Sequence, residues 1–279
     1  MTSIREPVVA GTFYPGSASA LDDSLTRLFG EPVPASEAAL ASPVGLIVPH
    51  AGYVYSGPTA AAGYRWLATL GRPAWALILG ANHTGMGRPI SLAQQGTWRT
   101  PLGEVPIAAQ LAGRLVESGL EVSESAFLRE HSIEVQLPFL QFLYGEGLPF
   151  VPICVMTPSL PELMRAGEAI ADVIRDELGV VVVSSDFTHY EPHAVAQQLD
   201  HKAIEQILSL DVEGFYQSLV GERLSICGGG AIVVLMSIAQ TLGWNQTRLL
   251  SYATSGDVSG DRSAVVGYAA LSFAGGEHG

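Results

Sequence analysis

Three short apolar runs, each closed by a turn that carries a histidine, set the strongest limit on what this chain can fold into. Leu46-Ile47-Val48-Pro49 leads into His50, and Trp75-Ala76-Leu77-Ile78-Leu79 leads through Gly80-Ala81-Asn82 into His83. Val180-Val181-Val182-Val183 leads through Ser184-Ser185-Asp186-Phe187-Thr188 into His189. Four consecutive valines suit a strand covered on both faces, as in a parallel sheet flanked by helices. Open sheets of that kind gather their ligands outside the carboxyl ends of the strands. Three strands that each deliver a histidine to that edge predict one shared site.

Between these runs the periodicity turns helical. Leu21, Leu25 and Leu28 share one face of a helix that Ser17 or Ser19 can cap. A helix is expected after Pro58, ending at Gly71-Arg72-Pro73. Others are expected over residues 108–118, 160–178, 194–210, 212–219 and from the glycines after Cys227 to about 242. Ser132, with a carboxylate near the first turn, should open a helix through Phe139, Leu140 and Leu143. Further strands are expected at 90–93, 150–155, 249–253 and 264–273, with a turn at Pro101-Leu102-Gly103 between two paired segments. Residues 30–43 read as a surface connector. The alternation predicts an α/β fold, a three-layer αβα sandwich around a mixed, mostly parallel central sheet.

Composition narrows the function classes. Fourteen basic against 27 acidic residues give a net charge of −13, which disfavours nucleic acid and anionic membrane surfaces as partners. No apolar run approaches the ~18 residues a membrane span needs, and Met1-Thr2-Ser3-Ile4-Arg5-Glu6 lacks a signal pattern. Two cysteines, Cys154 and Cys227, with no CxxC, make no disulfide framework. A reduced, cytoplasmic protein is the expectation.

The chemistry rests on a combination. Cys227 precedes three glycines and a helix, whose N-terminal partial charge favours a thiolate. With the imidazoles of His50, His83 and His189 it makes a borderline-soft ligand set, suited to iron, copper or zinc. A polar, metal-free pocket is the alternative reading. Asp186, three residues before His189, either holds an imidazole nitrogen or caps the segment that follows. His131, flanked by Glu130 and Glu134, belongs to a structural polar cluster or to the rim of the site. His193 and His201 fall on a surface helix and His278 in a tail, while Cys154 reads as an inert core thiol. Phe13, Tyr14, Tyr53 and Tyr55 could wall a small-ligand pocket, and Gly228-Gly229-Gly230 at a helix start would suit an anion.

These residues also carry a family resemblance. VAGTFYP (9–15), PHAGYVYSG (49–57), LGANH (79–83), TPLGEV (100–105), EHSIEVQLPFL (130–140), SSDFTHY (184–190), ICGGG (226–230) and YATSGD (252–257) resemble the Memo-like family. Its prokaryotic members are called AmmeMemoRadiSam system protein B. The resemblance implies a single domain over residues 1–279 with a LigB-like fold, related to the class III extradiol dioxygenases. Those enzymes hold non-haem Fe(II) with two histidines and a glutamate and use a further histidine as acid/base. By position, His50 and His83 match the two histidine ligands and Cys227 takes the third place. His189 matches the additional pocket histidine, with Asp186 beside it. A thiolate in place of the carboxylate is a departure, because it is softer and itself oxidisable.

Two functions follow as expectations. One is a non-haem iron oxidoreductase, with Fe(II) at the site, or copper or zinc in its place. The other is a binding protein whose pocket captures a metal, or a small-molecule or peptide ligand, without turnover. The family naming further implies functional association with radical-SAM and AMMECR1-like proteins.

Overall fold

The computed structural model describes residues 4–30, 38–145, 147–221 and 224–276. His278 and residues 31–37 of the expected connector lie outside the described residues. The strands in chain order are β1 (Ile4–Arg5), β2 (Val44–Val48), β3 (Ala76–Ala81), β4 (Ile90–Leu92), β5 (Thr97–Thr100) and β6 (Gly103–Pro106). They continue with β7 (Glu121–Val122), β8 (Phe150–Val155), β9 (Val180–Ser184), β10 (His189–Glu191), β11 (Gln246–Thr254) and β12 (Val265–Ala274).

The main sheet runs β10-β12-β2-β9-β3-β8-β4-β7, with β11 also paired to β12. Its centre, β2-β9-β3-β8, is parallel, whereas β12 joins β2 and β4 joins β8 antiparallel. Every residue of β2, β3, β8 and β9 is buried. That is why their sequences read as continuous apolar runs instead of alternating ones. The register is what matters for function. Ser184, the last residue of β9, lies between Val48 of β2 and Gly80 of β3. The turns that follow these strands therefore open at the same edge of the sheet.

Helices cover the sheet. Tyr53–Leu70 packs on β2, β11 and β12, while Gly229–Leu242 packs on β2, β3, β8 and β9 and carries Leu160–Ile174 behind it. The Gly229–Leu242 helix is buried all round from Ala231 to Ala239, so it needs the sheet on one side and a second helix on the other. A Cβ at Gly167 would stand 2.5 Å from that of Ser237, so the pair depends on glycine to approach so closely. None of the described helices is long and apolar enough to cross a membrane.

Three local expectations change. The helix expected after Pro58 begins at Tyr53, with Pro58 inside it. The hydrogen bond lost there would run to the carbonyl of Val54, an exposed residue whose carbonyl water can satisfy. The Ser132 segment begins with a 3-10 turn, Glu134–Gln136, before the helix Leu137–Tyr144. Ser132 does not cap it, since its hydroxyl donates to the Ala81 carbonyl. The helix expected to reach 178 ends at Ile174. The paired segments around Pro101-Leu102 are β5 and β6, and β1 adds to β5 in parallel.

Candidate functional site

His50, His83 and His131 meet at the carboxyl edge of the sheet. Their ring centroids lie 5.2 Å (His50 to His83), 5.5 Å (His50 to His131) and 4.6 Å (His83 to His131) apart. One donor atom from each lies within 4.8 Å of the others, which makes the three a group that could hold a metal ion. Imidazole nitrogens on one tetrahedral ion at ~2.0–2.1 Å stand about 3.3 Å apart. Modest inward movement of the rings would therefore satisfy an ion.

The hydrogen bonds decide which nitrogen each ring offers. Ser184 Oγ donates to the Ser132 carbonyl at 2.6 Å and accepts from Gln136 Nε2 at 2.7 Å. With its one proton used, it can only accept from His50 Nδ1, 3.1 Å away. His50 is thus the Nδ1–H tautomer, with a lone pair on Nε2. His83 Nδ1 faces the Glu130 carboxylate at 2.9 Å, an acceptor, so its Nε2 is also free. His189 Nδ1 donates to the Ser225 carbonyl at 2.7 Å and has the same form. Neutral imidazoles with Nε2 exposed to a common point are what metal binding requires.

Cys227 lies beside this group. Its Sγ is 3.2 Å from His50 Nε2 and accepts from the Asp186 N–H at 3.1 Å. A sulfur and a nitrogen on one tetrahedral ion would stand about 3.5 Å apart, so this separation suits a shared ion. Asp186 is buried, and its Oδ1 accepts from the backbone N–H groups of His50 (2.7 Å) and Ala51 (3.3 Å). It therefore fixes the turn that carries His50, and the ring nitrogens have other partners. His189 is half-buried at the same edge, near enough to depress the basicity of His50.

Burial and charge set the protonation states. Burial, then the neighbouring His83, holds His50 down to about 3. Burial, then His50, holds His131 down to about 4. Burial works against a charged His83 too, but the hydrogen bond and charge of Glu130 outweigh it and raise its pKa. Burial would lift Glu130, yet its hydrogen bonds, led by that from His83, bring it to about 2. The Cys227 thiol is pushed well above its ordinary value by burial and then by Asp186. The helix N-terminus alone does not make a thiolate here; a bound cation would have to.

The N-terminal segment closes one side. Phe13 meets the His131 ring edge-on at 4.8 Å. Tyr14 and Tyr53 are buried behind it, bonded to Glu134 Oε1 and the Val135 carbonyl at 2.7 Å each. Tyr55 stands exposed on the helix above. Of the expected aromatic wall, Phe13 touches a histidine and Tyr14 and Tyr53 brace it. His193 bonds Thr254 and His201 the Gln197 carbonyl, both away from this group. Cys154 is wholly buried in β8.

The structure thus groups His50 and His83 with His131, sets Cys227 against His50 and Asp186 but outside that 4.8 Å group, and sets His189 at the same edge. Sequence reasoning left His131 undecided and did not single out Glu130 or Ser184. His131 escapes the strand-then-histidine rule because it precedes a helical turn instead of following a strand. The pairing of Glu130 with His131 in EHSIE was the available signal.

A family model described as Memo-like protein matches residues 5–272. A MEMO1 family protein of Desulfurococcus amylolyticus is 42% identical over 279 residues, covering 96% of this chain and 98% of that one. A MEMO1 family protein of Methanopyrus kandleri is 44% identical over 278 residues, with the same coverage. Among solved structures, an uncharacterized protein from Escherichia coli K12 superposes with a TM-score of 0.57 at 16% identity, covering 83% of this chain and 99% of that one. That likeness concerns the fold alone.

Proposed function

This chain belongs to the Memo-like family, and from that premise we propose that it is a metal-dependent oxidoreductase of the non-haem iron type. Fe(II) would be held by His50, His83 and Cys227, with copper or zinc as substitutes. The observation that carries the reading is the hydrogen-bond pattern: Ser184 and Glu130 fix two adjacent imidazoles with Nε2 free, and a sulfur lies 3.2 Å from one of them.

A bound iron would supply Lewis-acid and one-electron chemistry at this point. The chain's own residues do the rest. His50 and His83 offer neutral nitrogens, and Cys227 would lose its proton on binding, since only the thiolate is a ligand. His131 completes the wall and adds a further donor. His189, held through Nδ1 by Ser225, can take or give a proton at Nε2. Asp186 keeps the His50 turn in place. Phe13 and its tyrosines shield one side from water.

A second reading has its own support. If His131 and Cys227 both bind with His50 and His83, four protein donors close a tetrahedral site, as in metal sites that do not catalyse. The protein would then capture a metal, or a ligand through it, without turnover.

The test is elemental analysis of protein purified without oxygen, beside Cys227→Ser and His50→Ala. Near-stoichiometric iron that both variants lose supports the three-ligand centre. Iron retained by Cys227→Ser but lost by His131→Ala would move the third donor to His131. Protein that binds no metal even after reconstitution would end the oxidoreductase reading. With oxygen-dependent turnover in hand, His189→Ala should lose activity and keep its metal.

A further inference from the structure

Glu130 is wholly buried, yet it coordinates nothing exposed and forms no ion pair with a lysine or arginine side chain among the described residues. Its carboxylate instead meets four N–H donors. Oε1 accepts from His83 Nδ1 (2.9 Å) and from the backbone of His131 and Ser132 (2.9 Å each), and Oε2 accepts from the His83 backbone (2.6 Å). Arg5 holds the same residue from behind, its guanidinium donating to the Glu130 and Phe127 carbonyls. One side chain therefore ties the turn after β3, which carries His83, to the separate turn that carries His131.

We propose that Glu130 is the positioning residue of this site: it locks His83 in the Nδ1–H tautomer and sets His83 and His131 at fixed separation, acting on a metal only through them. The inference rests on the metal-binding reading for its affinity arm alone. The Glu130 carboxylate lies outside the group of side chains whose donor atoms come within 4.8 Å of one another, so it holds the ligands and not the ion. Burying a carboxylate is costly unless every oxygen is satisfied. A group needed only to fill this space would be less costly as an uncharged side chain.

Glutamine in this position presents one oxygen and one NH2 to the same four donors. With its oxygen at the Oε1 place, where three donors converge, the NH2 faces the His83 backbone N–H; turned round, the NH2 faces the His83 ring and the backbone N–H groups of His131 and Ser132. In either orientation an N–H meets an N–H, and the two turns lose the separation that the carboxylate sets. Glu134, four residues on, supplies the comparison. It is equally buried, but its donors are Arg5 Nη1, the Val8 and Val9 N–H groups and the Tyr14 hydroxyl, all in the N-terminal segment.

The experiment compares wild type, Glu130→Gln and Glu134→Gln. The tautomer of each imidazole is read by long-range 1H–15N NMR of metal-free protein, and Zn(II) affinity by chelator competition. Wild type should show His83 as Nδ1–H. In Glu130→Gln the NH2 pushes on the His83 backbone N–H, so Zn(II) affinity should fall about 10–100-fold, as for other partners of ligating histidines, while the amide oxygen keeps His83 as Nδ1–H. Glu134→Gln should melt lower, with the His83 tautomer and Zn(II) affinity unchanged. A wild-type His83 in the Nε2–H form would overturn the proposal whether or not the variants fold. So would a Glu130→Gln affinity for Zn(II) equal to that of wild type. A wild type that binds no Zn(II) or Fe(II) would end the metal reading, and the NMR result would still decide the role of Glu130.

Discussion

Replacing Ser184 by alanine should damage both the fold and the site through one oxygen. Ser184 Oγ serves the Ser132 carbonyl, Gln136 Nε2 and His50 Nδ1, and every one of these groups is buried. Gln136 Nε2 keeps a second partner in the Pro49 carbonyl at 3.0 Å. The Ser132 carbonyl and the His50 Nδ1–H would be left without their partner. Each orphaned buried group costs about 1–3 kcal/mol, so the pair should cost about 3–4 kcal/mol together. For a chain of this size, roughly 2–3 °C of melting temperature accompanies each kcal/mol, giving a fall of about 6–12 °C. The His50 tautomer should change as well, because Nδ1 no longer faces an obligatory acceptor. Calorimetry of metal-free protein measures the first effect and imidazole 15N shifts the second. A melting temperature within about 1 °C of wild type, or a His50 that stays wholly Nδ1–H, would refute the reasoning.

Metal-free protein should lose stability as pH falls from about 6.5 toward 4. His50 and His131 have pKa values depressed to about 3 and about 4, so the unfolded chain takes up protons that the folded one refuses. The slope should approach about 1.4 kcal/mol per pH unit for each, measured by urea titration; a flat profile would contradict the assignment. His83, whose pKa is raised, acts in the opposite sense, adding stability below its unfolded value that disappears as pH rises through its folded one. Gly80→Ala should destabilise by about 1–3 kcal/mol and weaken Zn(II) binding, because its Cβ would stand 2.5 Å from Ser132 Oγ and 2.6 Å from Ile133 Cγ1; thermal melts and chelator competition check both. Tyr190, at a register shift in β10, has φ +61° and is 78% exposed. Tyr190→Asn should therefore raise stability by about 0.5–1 kcal/mol, since asparagine tolerates that backbone; an unchanged or lower urea midpoint would count against it.

The sheet was legible because its centre is buried on both faces, and such strands announce themselves as valine and isoleucine runs. The histidines were legible because Ser184, Val48 and Gly80 lie level, so short offsets of two (His50), three (His83) and five residues (His189) past them all lead to one edge of the sheet. What escaped was everything that depends on hydrogen-bond direction. No pattern in the sequence says that Ser184 has its proton engaged elsewhere, or that Asp186 faces backbone N–H groups while Glu130 faces a ring. The pull of the helix N-terminus on Cys227 was legible, but the opposing burial and the Asp186 charge were not. Pro58 misled because proline marks a helix start more often than it sits in the second turn of one.

The N-terminal segment has a consequence for how the molecule comes to exist. Arg5 and Tyr14 reach their Glu134 partner across 129 and 120 residues, and His50 meets Cys227 across 177. During synthesis this segment leaves the ribosome before its anchor, and it stays unpaired until residue 134 follows. His50 waits longer still, for Cys227. Contacts so distant along the chain are closed late and slowly. An ion met by the nascent chain would find only a partial set of donors, so any loading of the proposed site would wait for the finished protein.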